Sequence, residues 1–203
     1  PWKSFDNLSN IQLSAGDKVL IKKGTTVTDQ LVLEKAQGTK EKPVVIGTYG
    51  EAESKPVLEY IVDDNSATDI WEHIATPVIQ LKDCHGIELD GLAISGTNGV
   101  DVGIHLKYNN TLNHEYVKIK NCDFKDLTGF TINDYRGLSE RAAGKNITGE
   151  YCMATGICVS VNNYNIGVND PGLIGLYIEG CTSTNCGTLL ANAGNIQDTN
   201  EGD

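Results

Sequence analysis

Lys82, His105, Lys107 and Asn133 fall at alternate positions of short apolar–polar segments, and Asp83, Tyr108, Asp134, Tyr135 and Arg136 stand directly behind such segments. These residue types support two chemistries. Lys107 or His105 can act as a base that abstracts a proton beside a carboxylate, with Lys82 and Arg136 neutralising the charge that develops. Asp83 and Asp134 are the alternative, a carboxylate pair for hydrolysis, which an inverting glycosidase holds roughly 6.5–9.5 Å apart. Lys82, Tyr108, Asn133 and Tyr135 would then contact the substrate, the tyrosines offering flat apolar faces. Every one of these residues is also an ordinary side chain of a polar sheet surface, so the assignment depends on what brings them together.

Repeats supply that. VKIKNC (117–122) aligns with IELDGL (87–92), ITGEYC (147–152) and LYIEGC (176–181), at offsets of 30, 30 and 29 residues. One column holds Leu92, Cys122, Cys152 and Cys181. A second column runs through VIQL at 78, GIHL at 103, GFTI at 129, GICV at 156 and GTLL at 187. A unit of this length with several three- to five-residue strands suits one turn of a parallel β-solenoid, whose turns stack about 4.8 Å apart. No segment inside a unit carries a 3.6-residue period long enough for a helical repeat. The break in VKIKNCDFKD reads as a corner: Val117 and Ile119 point inward from one sheet, Asn121 turns the chain, and Cys122 and Phe124 point inward from the next. Asn tolerates the left-handed backbone that such a corner needs. Stacked in this way, Gln80 and Lys82, His105 and Lys107, and Thr131 and Asn133 form outward lines, and the turns behind them lengthen up the stack.

The expected architecture is all-β, with three short sheets in a single domain over 1–203. Residues 1–60 form an N-terminal cap and irregular first turns, 77–190 the regular turns, and 191–203 an open end that touches another protein or is poorly ordered. Ser4 is the expected N-cap of a short helix over 5–8, with Trp2 and Phe5 plugging the apolar end. Cys122, Cys152 and Cys181 are expected as stacked buried thiols. The cysteine spacing does not suit a zinc site. Asp63-Asp64-Asn65 offers hard oxygen ligands of the kind calcium takes. No other cofactor is expected.

Composition excludes other classes. The 203 residues include 27 acidic and 16 basic side chains, a formal net charge of −11, which opposes a nucleic-acid partner for the molecule as a whole. No apolar run approaches the roughly 18 residues of a membrane-spanning helix.

From PWKSFDNL through LSAGDKVLIKKG, PVVIGTYG and HGIELDGLAISG to VKIKNCDF, the chain resembles the secreted right-handed parallel β-helix proteins, the group of pectate and alginate lyases and polygalacturonase-like hydrolases. The resemblance implies a right-handed solenoid, an extracellular or cell-surface location, and a polysaccharide partner bound on the outward face around Lys82, His105 and Lys107. It implies a lyase or glycoside hydrolase acting on an acidic glycan. Because the architecture also hosts non-catalytic proteins, a glycan-binding or structural solenoid remains a separate reading, as does a fragment whose active turns lie elsewhere.

Overall fold

The computed structural model describes residues 2–60, 77–96, 102–108, 113–127, 131–132, 151–152, 155–161, 172–186 and 188–192. Within them the chain passes through three sheets in a constant order. The first sheet contains β1 (Lys18–Lys22), β4 (Val44–Tyr49), β7 (Ile87–Asp90), β10 (Asn113–Lys120) and β15 (Gly172–Glu179). The second contains β2 (Thr26–Thr28), β5 (Val57–Glu59), β8 (Ala93–Ser95), β11 (Asp123–Lys125) and β16 (Thr182–Thr184). The third contains β3 (Leu31–Glu34), β6 (Ile79–Lys82), β9 (Val102–Tyr108), β14 (Thr155–Val161) and β17 (Thr188–Asn192). Neighbouring strands in all three are parallel. Each turn of chain thus adds one strand to every sheet, which is the winding of a solenoid.

Alternation decides which side chains fill the interior. Ile46, Leu89 and Ile119 stack in register in the first sheet, Leu58, Ile94 and Phe124 in the second, and Leu33, Leu81 and Leu106 in the third. All are buried and belong to one continuous core. The corner expected at Asn121 is present: its φ is 54°, in line with Gly91 at 76° and Gly180 at 59°. Asn121 Nδ2 donates to Asp90 Oδ1 at 2.9 Å. The corner after the second sheet repeats the device, with Asp126 and Asn185 at φ 57° and 53° and Asn185 Nδ2 donating to Asp126 Oδ1 at 2.8 Å.

Two expectations drawn from the repeats are corrected. Cys152 is not stacked between Cys122 and Cys181. β11 pairs directly with β16, and the Thr182 N–H donates to the Cys122 carbonyl at 2.9 Å, so the two cysteines are immediate neighbours. Cys152 lies instead in β13 (Tyr151–Cys152), antiparallel to β12 (Thr131–Ile132). The 30-residue spacing matches an excursion within a turn as well as it matches a turn, and only backbone pairing separates the two. Thr131–Ile132, the described part of GFTI at 129, pairs with β13 instead of joining the third sheet, where Ile104 pairs with Ile157.

At the N-terminus a 3-10 turn, Asp6–Asn10, replaces the Ser4-capped helix. Ser4 Oγ donates to Asp6 Oδ2 at 2.8 Å, and the Phe5 N–H finds Asp29 Oδ2 at 2.6 Å. Trp2 does not plug the end, being 58% exposed; Leu8, at 3%, enters the core. At the other end Ala191 and Asn192 belong to β17, and 193–203 lie outside the described residues.

Candidate functional site

The third sheet assembles part of the expected surface. Gln80, His105 and Cys158 stand in one register line, and Glu34, Lys82, Lys107 and Ser160 in the next. Lys82 is therefore the immediate neighbour of Lys107, about 4.8 Å along the stack. Both are half-buried. The first line is covered: Gln80 is 4% exposed and His105 2%. Asp83 closes the corner behind Lys82 with a φ of 49°, and its N–H donates to the Lys107 carbonyl at 2.8 Å.

Tyr108 departs from the expected flanking position. It ends β9 at 1% exposure, within the core, so its ring face is closed to a ligand. Burial pushes its phenol far up, and the nearby Cys84 and Asp83 add to the shift. Burial likewise pushes the Cys84 thiol up to about 12, and its Sγ–H lies 3.2 Å from the Lys82 carbonyl. These are properties of structural core groups. Asn133, Asp134, Tyr135 and Arg136 lie outside the described residues, as does the Asp63-Asp64-Asn65 cluster. The strand leading to residue 133 is not in the third sheet, so the register line continues from Lys107 to Ser160 rather than to Asn133. The two-turn spacing expected between Asp83 and Asp134 loses its basis with it. No group of three or more metal-ligating side chains occurs among the described residues.

A second polar surface, not anticipated from the sequence, lies on the first sheet. Gly86, Tyr116 and Gly175 precede β7's Ile87, β10's Val117 and β15's Leu176, which pair in register. All three are left-handed, at φ 62°, 60° and 79°. Glycine adopts this backbone freely, whereas for a tyrosine it costs roughly 1–2 kcal/mol. The conformation sends the Tyr116 hydroxyl to Glu88 Oε1 at 2.5 Å. Lys120 Nζ reaches Glu88 Oε2 at 3.2 Å and Asp90 Oδ2 at 3.6 Å, and Lys118 Nζ reaches Glu179 Oε2 at 2.9 Å. Burial works against the charge of Glu88, but hydrogen bonds from Tyr116 and Lys120, and the charges of Lys120 and Lys118, outweigh it and hold the carboxyl below its ordinary value. Tyr116 is pushed up to about 12, by burial first and then by the Glu88 hydrogen bond and charge. The alignment did carry a signal for this column: Gly-Ile-Glu-Leu, Tyr-Val-Lys-Ile and Gly-Leu-Tyr-Ile put tyrosine where the flanking turns have glycine.

These shifts define a stability window. Glu88 has a lowered folded pKa, so its contribution is present above its ordinary value of 4.5 and is lost as pH falls through the lower folded value. Tyr116 has a raised one, so its contribution is present below 10 and is lost as pH rises from there to about 12. In thermal melts, the gap between the wild type and Glu88→Gln should shrink on acidification below 4.5, and that for Tyr116→Phe between 10 and 12. Gaps independent of pH would show that the pair contributes nothing through its charge state.

No protein-family model and no curated protein matches the chain. Two solved structures match its fold. Both are of a GH136 lacto-N-biosidase from Eubacterium ramulus. The selenomethionine derivative aligns with a TM-score of 0.62 at 19% identity over 92% of this chain, and the native protein with 0.59 at 18% over 94%. This chain spans about a third of the length of those proteins, 31% and 33%. At that identity the likeness concerns the fold, and it places the solenoid among architectures that a glycoside hydrolase uses.

Proposed function

We propose that this chain is a right-handed parallel β-helix that works on a glycan outside the cell, with glycoside hydrolysis as the reaction. One observation carries the reading: the register that sets Lys82 beside Lys107, with Asp83 at the adjoining corner, on a fold shared with a glycoside hydrolase. Two ammonium groups one turn apart repel each other unless an anion stands by; Glu34, next to Lys82 in the same line, supplies one carboxylate, and an acidic glycan would supply others. Asp83, at the corner behind Lys82, supplies one carboxylate of the hydrolytic pair.

Elimination is the second reading, favoured by the same lysine pair. Lys107 is then the base, Lys82 and Arg136 neutralise the uronate, and His105, 2% exposed, lies behind the reacting surface.

The test is incubation with uronate-containing and neutral glycans. New reducing ends without ultraviolet-absorbing products, reduced about a hundredfold or more in Asp83→Asn, support hydrolysis. An unsaturated product abolished by Lys107→Ala moves the reading to elimination. Absence of both binding and turnover across the panel overturns both and leaves a structural solenoid.

A further inference from the structure

A cleft of about 570 Å³ lies at the edge of the first sheet, where Tyr116 and Tyr177 meet Lys40, Glu41, His85 and Glu115. It is separate from the third-sheet surface and shares no residue with it. Its volume falls within the range of ligand sites, and it is built rather than incidental. Thr39 and Lys42 close a tight turn through two hydrogen bonds, Lys42 N–H to Thr39 Oγ1 at 3.0 Å and Thr39 N–H to the Lys42 carbonyl at 3.1 Å. That turn hangs from the body of the protein by the Gly38 N–H, which donates to the His85 carbonyl at 3.0 Å.

The aromatic side of the cleft is held as firmly. Tyr116 is anchored through its hydroxyl to Glu88, and its ring centroid lies 5.7 Å from that of Tyr177, with the planes tilted by 51°. Tyr177 is 42% exposed. Gly175 lies directly beneath it: a Cβ there would stand 3.2 Å from Tyr177 Cε2. The flanking turns use glycine in Tyr116's backbone position, so this turn carries strain that glycine would relieve, and what the tyrosine supplies in return is the ring and its fixed orientation.

We propose that this cleft binds a neutral saccharide. Two tyrosine rings meeting at an angle offer apolar faces to the C–H faces of sugar rings, while Glu41 and Glu115 accept hydrogen bonds from sugar hydroxyls. The two carboxylates outnumber the one ammonium of the lining, Lys40, and so disfavour a uronate, and the ligand differs in charge from the one proposed for the lysine pair. The site holds sugar without cleaving it and does not depend on the reaction assigned to the third sheet.

Saturation-transfer NMR of the protein with lacto-N-tetraose, cellotetraose and tri-galacturonate tests this. Transfer to at least one neutral tetrasaccharide is expected, weakened roughly tenfold or more in Tyr177→Ala, as for truncation of an anchoring aromatic. Tyr116→Phe, which keeps the ring and loses the Glu88 anchor, should weaken it by a smaller factor. Lys107→Ala should leave it unchanged, which separates this site from the third-sheet surface. No transfer to either neutral sugar, transfer to tri-galacturonate alone, or transfer undiminished in Tyr177→Ala would each overturn the proposal.

Discussion

Replacing Phe124 with alanine should lower the unfolding free energy by about 3–5 kcal/mol, the range for deleting a buried aromatic ring. Phe124 is 1% exposed and pairs in register with Ile94 on one side and Ser183 on the other. The stack therefore loses apolar contact on the Ser183 side already, and the ring itself closes the second sheet against the third. A Cβ on Gly103, in β9, would come within 2.9 Å of Phe124 Cδ1, so the ring lies against bare backbone. Removing it leaves a cavity walled on that side by main chain, which relaxes poorly. In a solenoid each turn is held by its neighbours, so a defect between turns also weakens their coupling. Urea denaturation of Phe124→Ala and Phe124→Leu reads this directly. The leucine variant should lose under about 1.5 kcal/mol. An alanine variant within about 1 kcal/mol of wild type would show that the ring is not what fills this position.

The alternation in VKIK and DFK, with Asn121 between them, was sufficient to give both sheets, the direction of each side chain and the left-handed corner. Those features follow from local covalent geometry, which a few residues express completely. Cys152 shows where local pattern stops. ITGEYC has the composition and spacing of a turn of the solenoid, yet its last two residues pair antiparallel with Thr131–Ile132, and no property of a six-residue segment states which strand it will lie beside. Lys82 and Lys107 were placed together because their strands belong to consecutive turns. Alternation does not say whether the residue ending a strand turns out with the loop or stays in the core; Tyr108 stays, at 1% exposure. The tyrosine cleft went unread for a different reason. Tyr116 and Tyr177 become partners only once β10 is known to pair with β15, 59 residues on in register at Val117 and Leu176.

Gly86→Ala should cost about 3–5 kcal/mol, a loss of the size reserved for severe packing faults, while Gly175→Ala in the same column should cost about 1–2 kcal/mol. Both residues are left-handed, at φ 62° and 79°, and Tyr116 between them holds the same backbone at 60°. Tyrosine's presence there shows that the column accepts a side chain when there is room for one. The two glycines differ in what a methyl group would meet. At Gly175 it meets the Tyr177 ring at 3.2 Å, and that ring is exposed enough to swing aside. At Gly86 it falls on the backbone of Gly38 and 2.5 Å from Thr39 N, atoms fixed by the Gly38 hydrogen bond to His85. Relief at Gly86 therefore requires moving the 38–42 turn, which is the wall of the sugar cleft. The unfolding free energies separate the two causes: the shared part of the loss measures left-handed strain, and the excess in Gly86→Ala measures the backbone collision. Sugar binding should fall in both variants, through the displaced turn in one and the displaced ring in the other. Equal losses of stability, within about 0.5 kcal/mol, would mean that the contact between Gly38 and Gly86 is loose and that the wall of the cleft is not held by it.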